Sequence, residues 1–284
     1  MLLTVEQLSF RYPRSSNDAL HELSFSIAEG EIFGFLGPSG AGKSTTQKIL
    51  YKLLQGYRGE VTFAGKTLGN WGRDFYEQIG VSFELPNHYL KLTAEENLRF
   101  FAAFYRKKSA EPLEFLRKVG LEEDARKPVA AFSKGMKMRL NFARCLLHDP
   151  EMYFLDEPTT GLDPINAGRI KELIRELQQR GKTIFLTTHN MFDADQLCDR
   201  VALIHQGALC ALDSPARLKL AHGQKRVSLT LEDGKGSDHS FPLEGLGTNE
   251  EFLELIRRRP LRTIHSQEAT LEEVFIKLTG SQLV

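Results

Sequence analysis

The chain has 284 residues, 41% hydrophobic and 26% charged, a profile that suits one large globular domain or two and excludes disordered, fibrous and membrane-embedded classes. Lysine plus arginine equals aspartate plus glutamate at 37 each, so no net field draws the chain to nucleic acid, and no nucleic-acid partner is expected. No apolar run approaches the roughly 20 residues of a spanning helix, and "MLLTVEQLSFRY" lacks a signal-peptide layout, which predicts a cytoplasmic chain.

The first sixty residues read as short strands, "LTVEQLSFRY" and "LHELSFSIAEGE", then the compact apolar strand "EIFGFLG". "GEVTFAGKTL" adds a strand with a glycine turn. From about Leu85 to Pro150 the period becomes helical: Thr93 and Glu96 form a capping-box pattern, with Leu98, Phe101 and Tyr105 recurring behind it. A second helix carries Met136, Leu140, Ala143 and Leu147 on one face. Cys145 and His148 fall in this stretch and read as core, and with Cys198 and Cys210 the cysteines form no C-x-x-C pair.

Strands return as "EMYFLDE", "KTIFLTTH" and "RVALIHQG", with a helix from Pro164 to Arg180 whose Ile170, Leu173, Ile174 and Leu177 form one stripe. Strands alternating with helices predict a parallel sheet covered on both faces, and the helical stretch becomes an insertion. After about Ser214, "VSLTLEDGKGSDHSFPL" suggests two strands and a turn. Helices are expected at Glu250–Arg259 and behind a second capping box, Thr270 and Glu273.

Gly37-Pro38-Ser39-Gly40-Ala41-Gly42-Lys43-Ser44 fits G-x-x-x-x-G-K-[ST], after a strand and before a helix, with Thr45 next. Its glycines let backbone N–H groups turn toward phosphate oxygens, Lys43 reaches the β- and γ-phosphates, and the Ser44 hydroxyl suits Mg²⁺. Asp156 and Glu157 end the apolar strand "MYFLD". Asp156 is the candidate that orients Mg²⁺ through water, and Glu157 the one that polarises an attacking water.

This order of motifs resembles the ATP-binding subunit of ABC transporters from about Leu3 to Pro215. "FSKGMKMRLNFARCLLHDP" is similar to that family's signature segment, with Ser133 and Gly135 in their expected places; Phe132, Lys134 and Met136 depart from the usual Leu-Ser-Gly-Gly-Gln. "TTGLDP" resembles the D-loop with Asp163, "FLTTHN" the switch loop with His189, and "FRYP" the aromatic loop whose Tyr12 would stack on adenine. Each has a plainer reading: Asp163 before Pro164 is a helix cap, His189 a core histidine, Tyr12 a strand aromatic. "IGVSFELPN" occupies the place of the Q-loop, and where a glutamine is usual stands Glu84, a harder Mg²⁺ ligand that would make hydrolysis more metal-dependent.

The resemblance implies an α/β fold: a P-loop NTPase core with a mainly parallel sheet, an N-terminal antiparallel β-subdomain and a helical insertion at about 85–150, together spanning 1–215. Residues 216–284 would form a small α+β accessory domain. It also implies an ATPase, with ATP and Mg²⁺ as cofactors, that pairs head to tail as a homodimer or heterodimer and powers a membrane permease on a separate chain from the cytoplasmic face. In "NLRFFAAFY", Phe101 and Tyr105 can pack inward while Phe100 or Phe104 stays available for that partner. "LEEVFIKLTG" and "SKGM" are similar to subunits that energise drug, antibiotic or lipid export. Two alternatives stay open: a soluble ABC ATPase acting on ribosomes or DNA, and an adaptor that binds ATP with little turnover.

Overall fold

The computed structural model describes residues 1–107, 110–223, 225–232, 238–267 and 269–281. The chain divides into two compact units, one from Met1 to Leu212 and one from Asp213 onward.

In the first unit, β1 (Leu3–Phe10) and β2 (Leu20–Ile27) pair antiparallel, with register shifts on either side of Leu8. β3 (Ile32–Leu36) is buried at every residue and leads through the phosphate loop into α1 (Lys43–Leu50). β4 (Arg58–Phe63) and β5 (Lys66–Thr67) complete a four-stranded sheet of order β2-β1-β4-β5. The short α2 (Phe75–Gln78) precedes β6 (Ile79–Ser82).

The insertion holds α3 (Ala94–Ala102), α4 (Pro112–Lys118) and α5 (Lys134–Cys145). The expected capping box starts α3: Thr93 Oγ1 accepts from the Glu96 N–H at 3.2 Å, and Glu96 Oε2 accepts from the Thr93 N–H at 2.8 Å. Cys145 is buried, and His148 lies just past α5, stacked on Tyr105 at 3.7 Å, so both are core.

β7 (Met152–Asp156), α6 (Pro164–Gln179), β8 (Thr183–Thr188), α7 (Met191–Leu197), β9 (Arg200–His205) and β10 (Ala208–Asp213) follow. The six-stranded sheet runs β10-β9-β3-β8-β7-β6, parallel from β9 to β6. β7 and β8 are buried at every residue, with apolar runs at 152–155 and 184–186, as suits strands covered on both faces. Phe25 of β2 packs on Phe33 and Phe35 of β3 at 5.4 and 5.5 Å, joining the two sheets through a core of rings. Each buried ring contributes roughly 2–3 kcal/mol. Register aligns Leu36 with Thr188 and Asp156 with Thr187, so the C-terminal ends of β3, β7 and β8 meet at one sheet edge.

The second unit holds α8 (Pro215–His222), β11 (Arg226–Leu231), β12 (Asp238–Pro242), α9 (Glu250–Arg258), β13 (Leu261–Gln267) and α10 (Leu271–Thr279). β11 lies between β12 and β13, antiparallel to both. Val227, Leu229 and Phe241 of this sheet form a small core with Phe252 of α9. Thr270 caps α10 through its expected box with Glu273. The turn expected between β11 and β12 lies outside the described residues.

Candidate nucleotide site

The phosphate loop is held by close backbone packing. A Cβ on Gly37 would stand 2.2 Å from the Ile204 carbonyl of β9, so only glycine lets the loop leave β3 there. Gly42 caps α1 at φ 109, a left-handed value that disfavours any side chain. Lys43 Nζ donates to the Gly37 and Pro38 carbonyls at 2.6 and 3.0 Å. Burial lowers its pKa, and the charges of Glu157, Asp156 and Glu84 oppose that shift. Helix α1 aims its free N–H groups at the same loop.

The acidic end of β7 faces this loop. Asp156 is buried and accepts from the Thr187 hydroxyl. Burial raises its pKa, the Thr187 bond opposes that, and Glu84 and Glu157 add to it. Glu157 adopts φ 50, a left-handed conformation costing roughly 1–3 kcal/mol in a residue of this type. That turn lets its carboxylate collect four donors. Oε1 accepts from the His189 N–H at 3.0 Å and from His189 Nδ1 at 2.8 Å. Oε2 accepts from Thr160 Oγ1 at 2.9 Å and Thr188 Oγ1 at 3.2 Å. Those threonines are the functional residues that sequence reasoning missed; the paired threonines of "TTG" and "LTTHN" were the available signal.

A cavity of about 340 Å³ brings Ser39, Gly40 and Gly42–Thr45 together with Glu84, Asp156, Glu157, Thr160 and His189. Tyr12 stands beside it, its hydroxyl 3.0 Å from Thr45 Oγ1 and its ring edge-on to Phe10 at 4.9 Å. Tyr12, Thr45 and Gly42 also line a more open cavity of about 770 Å³. Ser133, Gly135 and Asp163 lie outside both. Ser133 caps α5, accepting from the Met136 N–H at 3.2 Å, and a Cβ on Gly135 would stand 3.4 Å from Leu162. Asp163 caps α6 through the N–H groups of Ile165 and Asn166, both at 3.1 Å. Its plainer reading therefore holds, alongside whatever else it does.

Residues 20–160 match the family model described as ABC transporter, and residues 225–268 match the fluoroquinolone efflux ABC transporter C-terminal domain. A fluoroquinolones export ATP-binding protein of Mycobacterium tuberculosis (strain H37Rv) is 52% identical over 284 residues, 99% of this chain and 94% of the relative. This chain belongs to the ATP-binding subunits of ABC transporters. The ATP-binding subunit is also 35% identical over 263 residues to the linearmycin resistance ATP-binding protein of Bacillus subtilis, covering 90% of this chain and 78% of that one. Among solved structures it resembles a dimeric ATP-binding cassette in a post-hydrolysis state with ADP and Pi, at TM-score 0.69 and 27% identity over 75% of this chain and 98% of that one. It is an ATPase, and its fold is the ABC fold.

Beside the nucleotide cavity this ATP-binding subunit has a groove of about 710 Å³ walled by aromatic side chains, among them Tyr51, Phe83, Tyr89, Phe101 and Tyr105. Arg144 forms part of it, its guanidinium 4.6 Å from the Phe101 ring, donating to the Asn87 carbonyl at 2.9 Å and to Asn141 Oδ1 at 2.7 Å. Of the aromatics in "NLRFFAAFY", Phe101 and Tyr105 line this space, those expected to pack inward. Phe100 and Phe104 are exposed but stand outside it.

Proposed function

We propose that this subunit energises export of drug-like, antibiotic or lipid substrates through a permease on a separate chain, closing head to tail with a second ATP-binding subunit around two ATP molecules. The observation that carries it is the convergence of Lys43, Ser44, Glu84, Asp156, Glu157 and His189 on one cavity. The 52% identical relative named for fluoroquinolone export supports drug-like cargo.

In this reading Lys43 and the N–H groups of Gly40 to Thr45 hold the phosphates, Tyr12 stacks on adenine, and Glu157 draws the proton from the attacking water. His189 orients Glu157 and meets the γ-phosphate. Ser133 and the Gly135 backbone, outside their own protomer's cavity, donate to the nucleotide of the partner, with Asp163 beside them. Among the described residues no three acidic, histidine or cysteine side chains gather closely enough to hold a metal alone. Ser44, Glu84 and Asp156 line one cavity, and their oxygens fit Mg²⁺ as a partial set that nucleotide oxygens complete. Bound there, Mg²⁺ would supply charge neutralisation on the β- and γ-phosphates.

Among the described residues no helix is long and apolar enough to cross a membrane, which supports a permease on another chain. The aromatic groove supports the docking of a short permease helix. Arg144 and Lys52 line it and no acidic side chain does, so a helix carrying a carboxylate among apolar residues complements it. The test is to solubilise membranes gently from cells expressing a tagged Glu157→Gln variant, add ATP, and identify by mass spectrometry what copurifies. A polytopic membrane protein in near-equal amount is expected, and a second ATP-binding chain would establish a heterodimer. Ribosomal or DNA-repair proteins without a membrane partner would overturn the proposal.

A further inference from the structure

Gln47 breaks a packing rule in the middle of α1. It is 1% exposed, yet neither its amide nitrogen nor its amide oxygen has a hydrogen-bond partner among the described residues. Other buried amides of the same unit are paired: Asn97 exchanges bonds with Tyr89 at 3.0 Å in both directions, and Asn141 donates to the Phe83 carbonyl at 2.7 Å. A leucine of similar size would fill the position of Gln47 without burying two unpaired polar atoms. Local rules broken without local compensation concentrate where function is being served.

The placement of Gln47 indicates which function. Four-residue spacing sets Lys43, Gln47 and Tyr51 along one face of α1. Lys43 lines the nucleotide cavity, where it feels the charges of Glu157, Asp156 and Glu84. Tyr51 lines the aromatic groove, its ring edge-on to Phe83 at 5.8 Å and to Phe154 at 6.0 Å. The stripe thus links the two cavities, with Gln47 one helical turn from Lys43 on one side and from Tyr51 on the other. The segment Ser82-Phe83-Glu84 borders the same stripe, with Phe83 in the groove and Glu84 in the nucleotide cavity.

We infer that Gln47 is a positioning residue for the Ser82–Glu84 segment: its amide pairs with that segment in the ATP-bound arrangement and is left unpaired in the one described here. The inference rests on the ATP-site reading above. Its energetic content is differential. An amide orphaned in one arrangement and paired in the other shifts the balance toward the paired one, so ATP binding gains what the orphaned form lacks. Because the segment also borders the groove, the same pairing ties the place of Glu84 to that of Phe83.

The experiment compares the full-length chain with its Gln47→Leu and Gln47→Met variants by thermal unfolding without nucleotide and by titration with a non-hydrolysable ATP analogue and Mg²⁺. Both variants are expected to melt a few degrees higher without nucleotide and to bind the analogue about five-fold or more weakly, so that the analogue stabilises them less. Lower melting temperatures in both variants would mean that the amide is already paired, and would overturn the inference. So would higher melting temperatures with unchanged analogue affinity, which would reduce Gln47 to a packing defect. Failure of the unaltered chain to bind the analogue would sink the ATP-site reading instead, and is seen in a separate arm.

Discussion

His189 donates from Nδ1 to Glu157 Oε1 across 2.8 Å while its own backbone N–H donates to the same oxygen at 3.0 Å. An ionised carboxylate only accepts, so Nδ1 carries the hydrogen of that bond, on a side chain that is 56% exposed. Glu157 is 8% exposed and bound on all sides, so the imidazole is the partner with room to move. Glu157→Gln is expected to lower ATP turnover about 10²-fold or more while keeping ATP binding, since an amide cannot take the proton. His189→Ala is expected to lower turnover by about 10²-fold as well. Single-turnover hydrolysis beside equilibrium nucleotide binding separates the two effects; a variant that loses binding and turnover together would contradict these roles.

Lys43 grips the Gly37 and Pro38 carbonyls, bonds a nucleotide's phosphates would replace. Lys43→Ala should therefore weaken ATP binding by about 10²-fold, the worth of roughly 3 kcal/mol of charge-assisted bonding. Isothermal titration with ATP and Mg²⁺ measures this. Retained affinity would show that the loop's N–H groups suffice without the ammonium.

The parts of this site that a reader of the sequence can see are those with local causes. Gly37 to Ser44 declare a loop because backbone geometry admits few alternatives, and Asp156 is visible because four apolar residues bury the strand before it. Thr160 reaches Glu157 through a local turn three residues on, but what brings Thr188 and His189 onto it is the parallel register of β7 and β8 over more than thirty residues of chain, which no local pattern displays. In the second unit, α8 and β13 escaped the sequence reading because "PARLKLAH" mixes apolar and basic residues without a clean face and "LRTIHSQ" alternates only weakly. The aromatic groove was half legible. Helix spacing marks the rings of α3, but which of them face open space depends on Tyr89 and Arg144, brought from elsewhere.

Glu84 shares the nucleotide cavity with Ser44 and Asp156 and adds a charge that a glutamine would lack. As a proposed Mg²⁺ ligand it should tighten metal binding to the nucleotide complex. Glu84→Gln is then expected to raise the Mg²⁺ concentration for half-maximal ATPase activity several-fold and to weaken Mn²⁺ binding, seen directly by electron paramagnetic resonance of the ATP complex. Unchanged Mg²⁺ and Mn²⁺ dependence would leave Glu84 a solvated residue at the turn.

His88 makes the stability of the first unit depend on pH. It is buried at the groove, and because a carbonyl only accepts, the 2.9 Å contact with the Lys137 oxygen puts the hydrogen on Nε2. Nδ1 is buried and has no partner among the described residues, so a second proton there would be unpaired. Burial drives the pKa from 6.5 down to about 4; the Lys137 carbonyl opposes that, and the charges of Arg144 and Lys137 add to it. The unfolded chain therefore takes up a proton near the ordinary imidazole value, whereas the folded chain does so only near the lowered one. The stabilisation is complete above the ordinary value and is lost as pH falls toward the lowered one, by about 3 kcal/mol at most. His88→Gln keeps an N–H for Lys137 and does not titrate. Urea unfolding at a series of pH values from neutral to mildly acidic should show the unaltered protein losing stability more steeply than the variant, by up to about 1.4 kcal/mol per pH unit. His148, whose pKa burial also lowers, is common to both proteins and cancels in the comparison. Parallel curves would mean that His88 is protonated as readily in the folded chain as in the unfolded one.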